Sequence, residues 1–147
     1  MQYLTVQDIV WINSLAIKSA QRFDYLRLEE ATYYQYGYGG SQDLAAQAAS
    51  FLSGFRQKAP FEAGNEVTAF VAFAAFLLLN GKRVKQEAAK KLLGGATAET
   101  IGQSTEDAHS HGHAGVQEAV AQVFEEHADV VADLMSKTGR RATATTA

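Results

Sequence analysis

An all-helical domain is what this sequence predicts. Apolar residues recur at helical spacing in one segment after another, and no run alternates for long enough to make a convincing strand. From Asn65 to Asn80 the chain is apolar nearly all round, the pattern of a central helix packed on several sides.

The elements follow in order. Thr5, with Asp8 three residues later, has the form of a capping box, and Val6, Ile9, Val10 and Ile17 behind it place a helix from about Val6 to Ala20. "YLRLEEATYY", Tyr25 to Tyr34, suits a short second helix, although its apolar period is mixed. In "YYQYGYGGS", Tyr33 to Ser41, glycines end any helix while tyrosines favour extended backbone, which predicts a loop or a short hairpin. Ser41 is placed to cap a third helix running to about Arg56, because Leu44, Ala48, Phe51, Leu52 and Phe55 share one face. Pro60, the only proline, disfavours helix at Ala59 and forces a break.

Asn80-Gly81 ends the central helix in the manner of a left-handed cap. "VKQEAAKKLL", Val84 to Leu93, is amphipathic and stops at Gly94-Gly95, and "TAETIGQ" has room for one short helix more. A polar connector occupies Ser104 to Gly115. Beyond it Val116, Val120, Val123, Val131 and Leu134 mark the face of one long last helix to about Ser136. One domain over residues 1–136 results, with a frayed tail over 137–147 that has nothing to bury. Trp11 and the triplet Phe70, Phe73 and Phe76 read as core packing.

Composition narrows the function classes. With 147 residues, 47% hydrophobic and 20% charged, the chain is long and apolar enough for a real core. Thirteen basic against sixteen acidic residues give a net charge of −3, and no basic run could track a phosphate backbone, so nucleic acid is not an expected partner. The absence of cysteine excludes disulfides and thiolate metal sites. As a helix the longest apolar run, Ala69 to Leu79, would rise only about 16 Å, half of a bilayer core, so no membrane span is expected. The first residues lack a basic segment and carry Asp8 where a signal peptide needs unbroken apolar sequence, which points to the cytoplasm.

"PFEAGNEVTAFVAFAAFLLLNG", from Pro60, resembles the active-site loop and following helix of the Fic/Doc (Fido) family, whose motif reads His-Pro-Phe-x-(Asp/Glu)-Gly-Asn-(Gly/Lys)-Arg. The surroundings are similar to the Doc, or death-on-curing, branch: "YLTVQDIVWIN" to its opening, "LRLEEA" to its second helix, and "DLAAQAASFLSGFRQKAPF" to the helix leading into the motif. The best-matched letters are Pro60, Phe61, Gly64, Asn65, Thr68 and Ala69. The resemblance implies a helical fold in which this loop cradles nucleotide phosphates at a helix N-terminus. It implies ATP and magnesium as cofactors of active relatives, which transfer AMP to, or phosphorylate, a protein hydroxyl. It implies too a flap hairpin that docks a protein segment, and in the Doc branch an antitoxin partner. "YYQYGYGG" lies where that flap would be, which makes Tyr34, Tyr36 and Tyr38 its partner-binding residues.

The departures fall on the chemistry. Ala59 stands at the motif histidine, Ala63 at the acidic magnesium ligand and Val67 at the arginine that clamps phosphate. Loss of a positioned base alone costs about 10²- to 10⁴-fold in rate. Glu66 replaces the Gly or Lys position, and aimed at a phosphate pocket it would repel ATP. Gly64, Asn65 and Glu66 are left as a vestigial phosphate loop, with backbone amides at a helix start as its one generic anion site. No cofactor is therefore expected, and no catalytic residue is assigned.

The expected protein is a Doc-like pseudoenzyme that acts by binding a protein partner or an antitoxin-like segment. Two alternatives stay open. A divergent transferase would recruit Glu62 or a histidine of "HSHGH" as its base, and a metal-binding protein would use His109 and His113, four apart, with His111 between them. For the histidines the plainer account is a solvated linker, and for His127, on the apolar stripe of the last helix, a satisfied histidine at the edge of the core. Glu125-Glu126 and Arg140-Arg141 read as solvated surface.

Overall fold

A computed structural model of the chain describes residues 1–36, 43–108 and 115–136. It is predominantly helical, and its elements assemble around one buried helix. The tail at 137–147 and His109, His111 and His113 lie outside the described residues.

Local signals set most of the helices. In α1, Val6–Ile17, the Thr5 hydroxyl accepts from the Asp8 N–H while the Asp8 carboxylate accepts from the Thr5 N–H, completing the expected capping box. The helix stops at Ile17 and not Ala20, because Lys18 turns left-handed at φ 67° and donates its N–H to the Ser14 carbonyl. Helix α2, Tyr25–Tyr33, is capped by Asp24, whose carboxylate accepts from the Arg27 N–H. In α3, Leu44–Lys58, Asp43 caps Ala45 and Ala46. That is a correction to Ser41, which lies outside the described residues; a helix starting at Leu44 puts its own cap one residue before it. Helix α3 also runs two residues beyond Arg56, ending where Ala59 turns left-handed ahead of Pro60.

Helix α4, Asn65–Leu79, is the centre of the molecule. Every residue from Val67 to Leu79 is buried, and α1, α3 and the C-terminal helices pack around it. Burying one phenylalanine side chain contributes about 1.5–3 kcal/mol. Phe70, Phe73 and Phe76, all fully buried, make α4 the element on which the others rest. Asn80 and Gly81, the latter at φ 89°, end it as the sequence predicts.

Beyond α4 the structure departs from the expected run of helices. Lys82–Val84 forms a short strand, β1, which pairs antiparallel with β2, Thr105–Asp107, in the register Lys82 to Asp107 and Val84 to Thr105. Ion pairs Lys82–Asp107 and Arg83–Glu106 lie along the ribbon. One 3-10 turn, Gln86–Ala88, and α5, Ala89–Gly94, occupy the stretch expected to be helical from Val84, and α6, Ala98–Ser104, is the additional short helix. The expected last helix is two, α7, Val116–Glu126, and α8, Ala128–Ser136, with the break at His127.

His127 is neither at the edge of the core nor fully satisfied. It is 2% exposed, its ring stands edge-on to Phe70 at 5.5 Å and bonds to the Val84 backbone, and its Nδ1 has no partner. Burial, the largest influence, holds its pKa below the ordinary histidine value.

Candidate functional site: the loop before the central helix

The loop from Ala59 to Gly64 connects α3 to α4, and its backbone is fastened from three directions. Asn65 ties it from below: its Nδ2 donates to the Phe61 carbonyl at 2.8 Å and its Oδ1 accepts from the Phe61 N–H at 2.9 Å. The segment between α1 and α2 holds the outer edge. Phe23 and Phe61 form an antiparallel bridge, the Asp24 N–H donates to the Pro60 carbonyl at 3.0 Å, and the Glu62 N–H donates to the Arg22 carbonyl at 2.8 Å. From α1, buried Asn13 donates through Nδ2 to the Ala63 carbonyl and to Thr68 Oγ1, both at 3.0 Å.

Gly64 begins α4 at φ 81°, in the left-handed region that favours glycine. A Cβ there would meet Ile17 Cδ1 at 2.5 Å and Asn13 Nδ2 at 3.2 Å. The end of α1 therefore lies directly over this glycine. Conformation and close approach both demand glycine here, which accounts for Gly64 on packing alone.

The positions at which the motif resemblance requires chemistry divide between core and surface. Val67 is 0% exposed and Ala63 is 6% exposed, both among the packed interior. Ala59 is half-buried at the left-handed end of α3, its N–H bonded to the Phe55 carbonyl. Pro60 and Phe61 are buried, and the Phe61 ring packs between Phe23 at 5.7 Å and Phe55 at 6.4 Å. None of Ala59, Ala63 and Val67 carries a group that could take a proton, hold a cation or clamp a phosphate. Glu62 is exposed, and no side-chain bond from it to another described residue is formed.

Glu66 does not reach over the loop unopposed. It pairs with Arg56 of α3 at 3.1 Å, and Arg56 also donates through Nη1 to the Leu93 carbonyl at 2.9 Å. Both side chains line a groove of about 620 Å³ that continues to Ser53, Gln57 and Thr97. The guanidinium standing beside the loop is therefore already committed to a carboxylate and a carbonyl. Arg56 and Asn13 escaped the sequence reading because their partners lie far along the chain: Leu93 and Glu66 for one, Ala63 and Thr68 for the other. The one available signal was Asn13 itself, a polar residue among the apolar positions of the first helix.

Of the presumed flap, Tyr34 and Tyr36 are described and Tyr38 lies outside the described residues. Tyr34 ends α2 half-buried, with its ring against Gly54, where a Cβ would fall 2.3 Å from Cδ2. Tyr36 is 37% exposed and packs against Tyr3 with centroids 4.3 Å apart and the rings tilted by 37°. Up to Tyr36 this stretch is helix end and turn, not strand.

Among the described residues no cluster of histidine and carboxylate groups is arranged to hold a metal ion, and no helix is long and apolar enough to cross a membrane. No family model matches the sequence, and neither a curated protein nor a solved structure matches it.

Proposed function

We propose that this protein is a Fic/Doc-like helical domain whose motif loop has become a structural joint, and that it acts by binding a protein partner and not by transferring AMP or phosphate. One observation carries the reading. The residues at the base, metal-ligand and clamp positions are Ala59, Ala63 and Val67, and the last two are built into the core. The letters that survive have structural duties: Gly64 admits Ile17, Asn65 fastens Phe61, Thr68 accepts from Asn13, and Phe61 fills the space between Phe23 and Phe55.

Electrostatics supports the same conclusion. An incoming triphosphate would have to displace Glu66 from Arg56, leaving an anion beside an anion. Amides at the start of α4 alone make a weak site compared with one that has a metal and an arginine.

The test is calorimetric titration of the full chain with ATP and magnesium, together with incubation with labelled ATP and candidate proteins. Neither saturable binding nor label transfer is expected. Transfer that disappears in Glu62→Gln would establish a substitute base and overturn the proposal.

A further inference from the structure

Large apolar side chains are not scattered evenly over this molecule. Among the described residues the exposed ones are Phe23, Tyr25, Leu26, Tyr33 and Tyr36, in and beside α2, with Met1 and Leu15 elsewhere. A concentration of this kind marks an interaction surface, whereas isolated exposed apolar residues carry no meaning.

The pattern of α2 explains how the face is made. Leu28, Ala31 and Thr32 turn inward, and Tyr25, Glu29 and Tyr33, each four residues from the next, form a row flanking that buried stripe. Both phenols donate to one oxygen of the half-buried Glu29, Oε2, from Tyr25 at 3.5 Å and from Tyr33 at 3.3 Å. Tyr36 continues the row, edge-on to Tyr33 at 5.9 Å, and rests on Tyr3.

Charge distinguishes this face from a merely apolar one. The basic groups nearby are engaged elsewhere: Lys58 of α3 pairs with Glu30 at 2.9 Å, and Arg27 donates to the Lys58 carbonyl at 2.8 Å. Glu29 has no basic partner among the described residues, and its Oε1 accepts no hydrogen bond from them. A half-buried carboxylate without a basic partner attracts a cation, and the negative face of a neighbouring tyrosine ring adds to that attraction. A planar guanidinium suits it better than an ammonium, since it can take the carboxylate through its edge while its flat face lies on a ring.

We propose that the Tyr25–Glu29–Tyr33 face of α2, continued by Tyr36, docks a segment of a partner protein that presents an arginine. The guanidinium pairs with Glu29 and stacks on the Tyr33 ring, and an apolar neighbour in the partner covers Leu26, which is 69% exposed. This rests on the partner-binding half of the function proposed above and gives it a location distinct from the loop.

The experiment is selection from a library of short random peptides on the full-length chain, followed by affinity measurement. Recovered peptides are expected to share an arginine. Glu29→Gln and Tyr33→Ala should each weaken them by about tenfold, the loss expected for a charge-assisted contact with a stacked cation. Replacing the peptide arginine by glutamine should cost as much, and combining it with Glu29→Gln should add little. An unchanged urea midpoint in Glu29→Gln shows that the fold is intact. Failure to recover arginine-dependent peptides would overturn the proposal. So would peptides indifferent to Glu29→Gln, which would leave partner binding standing at another surface. Self-association of the chain abolished by Glu29→Gln would overturn it as well, by making a second copy the occupant. Label transfer from ATP would sink the pseudoenzyme reading without touching this one.

Discussion

The loop before α4 and the outer face of α2 meet at the Phe23–Phe61 bridge, yet they are built on opposite terms. In the loop, polar atoms turn inward to one another: Asn65 to Phe61, Asn13 to Ala63 and Thr68. On α2, aromatic rings and a carboxylate turn outward to water. The loop, where the motif resemblance directs attention, has its groups engaged in holding the fold. The neighbouring face keeps large apolar groups partly exposed. Resemblance of letters directs attention to a loop, while burial and bonding say whether anything there is available to a ligand.

The most drastic way to break this contrast is to give the loop its chemistry back. Val67→Arg would place a lone guanidinium at a position 0% exposed, beside the fully buried Phe70, and an uncompensated buried charge costs several kcal/mol. Loss of soluble, cooperatively melting protein is expected, followed by circular dichroism. A folded variant that binds ATP would show that the loop is a site and not a joint.

A smaller perturbation grades the packing. Gly64→Ala combines a left-handed backbone with a Cβ 2.5 Å from Ile17 and should cost about 2–4 kcal/mol in urea denaturation. Gly81→Ala shares the positive φ but meets nothing within 4 Å, so only the backbone term, about 1–2 kcal/mol, should remain. Equal losses would mean that Ile17 does not press on the loop.

The mildest test uses pH. On the packed side, burial lowers the pKa of His127 in the native state, so it resists protonation there, while in the unfolded chain it protonates near its ordinary value of about 6.5. Its contribution to stability is complete above that pH and is lost as pH falls below it. The melting temperature should therefore drop between about pH 7.5 and 5, with a shallower slope in His127→Leu. On the α2 face, Glu29 holds the Tyr33 phenol above its ordinary value, so that group stays neutral throughout this range. An identical slope in His127→Leu would place the pH sensitivity elsewhere.

The difficulty of reading α2 from sequence now has a physical cause. Its apolar period is mixed because two stripes overlap, the inward Leu28, Ala31 and Thr32 and the outward Tyr25, Tyr33 and Leu26, and periodicity alone does not say which one faces water. The expected long helix ending at Ser136 failed for a related reason. Val123 and Val131 lie on the buried stripe of either one helix or two, and the buried His127 with its Val84 contact marks where the chain breaks.

By itself the sequence determined the start of α1, the break between α3 and α4 and the extent of α4, because those signals act within one helical turn. The Thr5–Asp8 box, Pro60 after Ala59, and Asn80-Gly81 are all complete within a few neighbours. It determined also that the alanines and valine at 59, 63 and 67 cannot do proton or phosphate chemistry, since that follows from their side chains alone. Only the tertiary structure decided that Val67 and Ala63 are core, that Glu66 is held by Arg56, that β1 finds β2, and that Glu29 stands among tyrosines open to solvent. Each depends on how helices distant in sequence rotate against one another, which is set by the packing of the whole core and is written in no single stretch of it.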